Sequence, residues 1–483
     1  SMALVCVMLL SFLPATVFAA DDVKTNGKIS WEKTDEIYKQ DLSGRLAKEE
    51  EDLSEYKDTD IVRVSIILEK ASTLAKGFKA DNIAQNASAM SYRSSLKSVQ
   101  ASMEKTISQK ALDGEKLDVV WNLTLAANLI SANVPFGKIE AIKAISGVKD
   151  VVLERQYAPA VAEIGGDDPT MATSGKMIGS YTAWAEGYTG AGSRIAIVDT
   201  GVDTDHQSFD AAAYEYALEQ NANDLGMTVE NYKASLNLLD KEEIASVWSE
   251  LNFTSRYSGS SDNLYVSSKI PFGANYVDHS LDITHDNDIQ GEHGSHVAGI
   301  STANRYVKTS KGFEFALDTV CMQGVAPDAQ VFGMKVFGKN GGAYDSDYMV
   351  AIEDAVILNA DSINLSLGSA MPGLSKVDEA YAEIIDNVTK SGTVLVMSAG
   401  NSSYWAENSS YGYLYSEGAS FDTAGSPGSY TETLAVASVD NDGCTGAYFK
   451  VADEMYFYSE TNGYANKPLA SIAGTYDYIF FDN

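Results

Sequence analysis

Two histidines, His293 and His296, stand three residues apart in "GEHGSHVAGI", a segment otherwise rich in glycine and apolar side chains. The chain has only five histidines, and a pair in such a setting is open to three roles: metal ligand, packing residue, or a base that takes a proton near neutral pH. Metal binding would draw on His285, His293 and His296, but there is no H-E-x-x-H pattern, and Cys6, Cys321 and Cys444 are scattered. Asp199 closes the apolar run "RIAIVD". Alone, a polar residue at that place also serves as a cap or turn residue, so the chemistry depends on what is brought beside it.

The elements that must position these residues are short buried strands. "SRIAIVDTG", "AQVFGMKVFG", "DSINLSLGS", "TVLVMSAGN" and "TLAVASVD" are each followed by a glycine-containing turn and a helical pattern. Continuous apolar strands alternating with helices predict an α/β fold, a parallel sheet with helices on both faces. In such sheets the chemistry sits at the carboxyl ends of the strands, where Asp199, Ser366, Gly368 and Asn401 fall. Upstream, the alternating "DIVRVSIILEK", the helical "SAMSYRSSLKSVQASMEKTISQ", two strands in "LDVVWNLTLAANLISANVP", the amphipathic "FGKIEAIKAISGV" and the strand "KDVVLERQYAP" give β-α-β-β-α-β. That order is the ferredoxin-like split motif.

At 483 residues the chain has room for two or three domains, and 45% hydrophobic with 21% charged residues is a globular composition. The excess of 67 Asp and Glu over 35 Lys and Arg, a formal charge of −32, argues against nucleic acid or an anionic membrane as partner and suits an extracellular surface. "SMALVCVMLLSFLPATVFAADD" reads as a secretory signal peptide over residues 1–20. Its apolar run is shorter than the roughly 20 residues of a membrane span, and no later segment looks transmembrane. Residues 21–58, with "KEEEDLSEYKDTD", read as a solvated linker or helix. Free thiols are preferred to a Cys321–Cys444 disulfide.

Taken together, "IVDTGVD", "GEHGSHVAGI", "GVAPDAQVFGMKVF", "INLSLGS" and "VMSAGNSS" resemble, in order, the motifs of the subtilisin-like serine proteases, from roughly Ser180 to Ser438. "GMKVFGKNGGAYDSDYMVAIEDAVILNADSINLSLGS" and "AGSPGSYTETLAVASVDN" are closest to the lactocepin-like cell-envelope proteinases. The resemblance implies that His293 is the general base, Asp199 its orienting carboxylate and Asn401 the side-chain donor to the oxyanion, while His296 packs inside its helix. It further implies that Ser366, Leu367 and Gly368 pair with the substrate backbone and wall the first specificity pocket, so the expected partner is an extended protein or peptide. Residues 59–158 resemble the family's propeptide, an inhibitor and folding chaperone, with "LERQYAP" one candidate region for its cleavage. Residues 175–445 correspond to an incomplete catalytic domain, and residues 446–483 to the start of a β-rich, protease-associated insert.

The chain also departs from the family pattern. No G-T-S-M-A-like segment follows Asn401, so the nucleophilic serine is expected beyond Asn483; "PTMATSG" at Pro169–Gly175 precedes Asp199, and Ser402 and Ser403 adjoin the oxyanion position. The 94-residue interval from Asp199 to His293 is long and partly helical, fitting either a flap near the cleft or an element packed outside it. No cofactor is required; Ca2+ is a possible structural ion at the acidic turns Asp203–His206 and Asp282–Asp288, with Asp286 and Asp288 the candidate ligands. His206 and His279 read as surface or structural residues. The expected function is a secreted or cell-surface serine endopeptidase precursor; the second reading is a non-hydrolytic, peptide-binding form.

Overall fold

The computed structural model describes residues 56–157, 173–284, 291–339, 341–368, 376–400, 424–431, 433–439, 448–451 and 454–457. The expected signal peptide at residues 1–20, most of residues 21–58, His285, Asp286, Asp288, Asn401 and residues 458–483 lie outside them. Strand β1 (Ile61–Leu68) alternates, as a strand with two different neighbours must. Val62, Val64, Ile66 and Leu68 face helix α1 (Ala87–Lys110), whereas Arg63, Ser65 and Ile67 face the other way. Helix α1 begins at Asn86, whose side chain accepts from the N–H groups of Ser88 and Ala89, both at 3.1 Å, satisfying donors the helix cannot. Strand β2 (Asp118–Leu123), strand β3 (Leu129–Pro135), helix α2 (Ile139–Lys143) and strand β4 (Val148–Leu153) complete an antiparallel sheet of order β2-β3-β1-β4. This is the split β-α-β-β-α-β arrangement read from the sequence.

Downstream come β5 (Gln156–Tyr157), β6 (Arg194–Asp199), β7 (Phe272–Asn275), the hairpin β8 (Tyr306–Thr309) and β9 (Gly312–Phe315), β10 (Gln330–Lys335), β11 (Ala343–Tyr344), β12 (Ser362–Leu365), β13 (Val394–Ser398), β14 (Leu434–Val436), and the hairpin β15 (Tyr448–Val451) and β16 (Glu454–Phe457). Six of these form a wholly parallel sheet of order β14-β13-β12-β6-β10-β7. The helices after α2 that matter for the site are α3 (Ala211–Asp224), α4 (Val229–Ser235), α5 (Lys241–Val247), α6 (His293–Thr302), α7 (Asp345–Ile357) and α8 (Lys376–Ser391). Strand β6 divides its side chains between two layers. Ala196 and Val198 pack with α7, and Ile195 and Ile197 with Val297 and Ala298 of α6, so the sheet is covered on both faces. Strand β7 escaped the sequence reading because "FGAN" is four residues long, and half of them are Gly or Ala.

The described part of the interval between Asp199 and His293 folds into α3 to α5, strand β7 and the turns that join them. Ile244, Val247, Leu251 and Phe253 enter the main core, so this part of the interval is packed structure. The second face of the N-terminal sheet lies on α7 and α8, and its buried positions are polar where those helices are polar. Ser65 donates to Glu154 Oε1 (2.8 Å) and lies 2.9 Å from the Tyr381 hydroxyl, and Trp121 Nε1 donates to Asp347 Oδ1 (3.0 Å).

Candidate active site

Strand β6 delivers Asp199 to the carboxyl edge of the parallel sheet, opposite Lys335 at the end of β10. Helix α6 starts at His293, so its first turn faces that edge. The approach is close because residue 294 is glycine: a Cβ there would fall 2.2 Å from the carbonyl oxygen of Gly201 and 3.1 Å from Cβ of Asp199. His293 Nδ1 and Asp199 Oδ1 are 2.8 Å apart. A carboxylate only accepts, so Nδ1 carries the proton and Nε2 is the ring atom left to take one. The hydrogen bond to Asp199, helped by the carboxylate charge and opposed by burial, holds the imidazole above its ordinary range.

Thr200 ties the two halves of this pair together. Its N–H donates to Asp199 Oδ1 (2.7 Å), its hydroxyl accepts from Gly294 N–H (2.9 Å), and the same hydroxyl donates to the carbonyl of Gly291 (3.3 Å). One residue therefore fixes the carboxylate and both chain segments flanking His293. Buried Lys335 donates to the carbonyl of Thr200 from the neighbouring strand. Asp199 Oδ2 is buried without a hydrogen-bond partner among the described residues. The sequence reading did not single out Thr200; its position directly after Asp199 in "VDTG" was the available signal.

The remaining candidate residues are placed as follows. Ser366, Leu367 and Gly368 continue β12 past its last paired residue, Leu365; β12 lies inside the sheet between β13 and β6. Leu367 is buried, and Gly368 packs against the backbone of Ser426. An extended segment is received elsewhere: β5 pairs antiparallel with β11, Tyr157 opposite Ala343 and Gln156 opposite Tyr344. Arg155, just before it, reaches Ser426 Oγ at 3.4 Å, so β5 lies near the loop against Gly368. The glycine pair before "AY" in "GGAYDSDY" is the sequence signal for that edge. His296 is half-buried one turn along α6. His206 accepts from the N–H of Ser208 (3.2 Å), capping a turn, and His279 lies edge-on to Trp121 (5.1 Å), burial lowering its pKa. Among the described residues no group of three or more His, Cys, Asp or Glu is arranged to hold a metal ion. None of the described helices is long and apolar enough to cross a membrane. Cys321 is exposed with a free thiol.

A hydrogen-bonded histidine and carboxylate at the carboxyl ends of parallel strands can accept a proton and stabilise the cation that results. Comparison with known proteins gives the family. The profile of the subtilase family matches residues 190–478. The PI-type proteinase of Lactococcus lactis subsp. cremoris is 29% identical over 354 residues, 71% of this chain and 15% of that protein. The minor extracellular protease Vpr of Bacillus subtilis is 29% identical over 273 residues, 56% of this chain and 23% of Vpr. A C5a peptidase of Streptococcus pyogenes is 28% identical over 262 residues, covering 52% and 18%. Among solved structures, the epidermin leader peptide processing serine protease of Staphylococcus aureus aligns with a TM-score of 0.44 at 16% identity, covering 79% of this chain and 70% of that one. The chain spans less than a quarter of the length of these curated relatives.

Proposed function

The chain belongs to the subtilase family, and from that premise we propose that it is part of a secreted serine endopeptidase precursor acting on extended protein chains. The observation that carries this reading is the 2.8 Å contact of His293 with Asp199 at the strand ends. In the proposed reaction a serine hydroxyl, expected after Asn401 in the motif order, gives its proton to Nε2 of His293 as its oxygen attacks the scissile carbonyl. Asp199 keeps the ring in the right tautomer and balances the imidazolium. Asn401 donates its side-chain amide to the oxyanion, a contribution worth roughly 100- to 1,000-fold in turnover. The imidazolium then protonates the leaving amine, and water, activated by the same base, releases the acyl group. Ser366, Leu367 and Gly368 wall the cleft at the end of β12.

Residues 1–20 act as the signal peptide and residues 59–158 as the propeptide that assists folding and blocks the cleft until removed. The polar, buried contacts of its sheet with α7 and α8 support that role. The acidic composition and the name of one relative, the minor extracellular protease Vpr, support an extracellular place of action. No cofactor takes part in these steps; any Ca2+ would be structural.

The test is the His293→Ala variant of the full-length protein, assayed for release of the N-terminal domain and for hydrolysis of an unfolded protein substrate. Both are expected to vanish. Processing in cis that survives the change would overturn the reading.

A further inference from the structure

Strand β5 is seated more specifically than a connecting segment needs to be. Tyr157 is only 4% exposed. Its hydroxyl donates to Asp345 Oδ1 at 2.9 Å, and the fully buried Tyr348 hydroxyl donates to the same oxygen at 3.0 Å. The rings of Tyr157 and Tyr348 meet edge-on, 5.9 Å between centroids. Asp345 Oδ2 accepts the backbone N–H of Arg155 at 2.7 Å, and Arg155 Nη2 lies 3.7 Å from Oδ1. The backbone also comes unusually close: a Cβ on residue 342 would stand 1.8 Å from the carbonyl oxygen of Tyr157, so only glycine admits the strand there. Asp345 and Tyr348 belong to α7, which remains when the N-terminal segment is removed.

We propose that this seat is a tyrosine-recognition pocket: a substrate strand lying antiparallel to Ala343 and Tyr344 is selected for a hydroxyl-bearing aromatic side chain at the position opposite Ala343, read by the Asp345 carboxylate. The inference rests on the peptidase reading and names a substrate preference for it. Tyr157 is then the chain's own occupant of a site that later takes substrate. A phenylalanine fills the same apolar walls but leaves a buried carboxylate one donor short, a loss that sites built around a hydroxyl do not tolerate. Alanine fills neither requirement.

Two measurements test this. In the full chain, hydrogen exchange at residues 156–157 and 343–344 is compared for wild type, Tyr157→Phe, Asp345→Asn and the double variant, with the β6 ladder as the control for global folding. Tyr157→Phe and Asp345→Asn are each expected to speed exchange there by roughly 10-fold or more, and the double variant to add little to either. In the full-length protein, cleavage sites mapped across a denatured protein mixture are expected to show tyrosine enriched at one fixed distance from the scissile bond, with the enrichment lost in Asp345→Asn. Exchange unchanged by Tyr157→Phe, or enrichment that survives Asp345→Asn, would overturn the pocket. If no cleavage occurs at all, the peptidase reading falls and the exchange experiment still decides what the pocket recognises.

Discussion

Thr200 illustrates how little separates a packed side chain from a positioning one. Its methyl group could be kept by valine, but valine can neither accept from Gly294 N–H nor donate to Gly291, and the two segments around His293 lose their common anchor. Loss of alignment of a catalytic group commonly costs about 100-fold. In the full-length protein, Thr200→Val is therefore expected to lower kcat by roughly 10- to 100-fold with KM little changed, and Thr200→Ser to restore it. A merely structural role would be expected to leave the titration of His293 unmoved, so the imidazole is followed by NMR in the same variants. Asp199 holds His293 above its ordinary value, and only the neutral ring is a base. Turnover should thus rise with pH through that raised value, and the imidazole of Thr200→Val should titrate lower than wild type.

At the scale of elements, helix α7 is the joint between the N-terminal domain and the rest of the molecule. All thirteen of its residues are buried, including Asp345, Asp347, Glu353 and Asp354. Glu353 is held by backbone: Oε1 accepts the N–H groups of Leu125, Ala126 and Ala127 at 2.7–3.2 Å, and Oε2 accepts Thr124 N–H (3.3 Å) and the Asn252 side-chain amide (3.0 Å). Fully buried Arg93 stands 3.9 Å away and also donates to Thr124 Oγ1, the Glu250 carbonyl and Asn252 Oδ1. Removing one member of such a network strands the others without partners, at a cost of about 3–5 kcal/mol. Glu353→Ala should lower the unfolding free energy by about that amount in urea titration. A change below about 1 kcal/mol would mean that water replaces the carboxylate and that the turn at Thr124–Ala127 does not depend on it.

Across the whole molecule, the buried acids make stability depend on pH in an unusual direction. Burial pushes Asp345 up to about 6 and Asp354 up to about 7, and raises Glu154 and Asp347 as well. A carboxyl group with a raised folded value binds its proton more tightly when folded, so its contribution is present below the ordinary carboxylate range and is lost as pH rises through the folded value. His293, also raised, acts in the same sense. Lys269, lowered by burial to about 7, carries a cost that fades only above that pH. Between about pH 5 and pH 6.5 the acids therefore decide the slope, and the melting temperature of the chain is expected to fall across that interval. A melting temperature that rises instead would mean these carboxyl groups are already ionised in the fold.

Much of the fold was legible because its signals are local. The β-α-β-β-α-β order follows from alternation in "DIVRVSIILEK" and spacing in α1, and five of six parallel strands stand out as apolar runs ending in turns. The motif order from "IVDTGVD" to "VMSAGNSS" carried the family, and with it Asp199 and His293 as a pair. Local signals fail where a residue's neighbour is distant in the chain. "AYDSDYMVAIEDAV" reads as an acidic helix, and nothing in it says that its carboxylates are sealed beneath residues 61–157. The edge β11 is two residues long and becomes a strand only because β5 pairs with it. The sequence by itself determined the class of fold and the residue types for proton transfer, since periodicity and motif order are properties of a few dozen consecutive residues. Only the tertiary structure decided that Thr200 spans both halves of the site and that Tyr157 rests on Asp345, because those contacts join residues 91 to 188 positions apart.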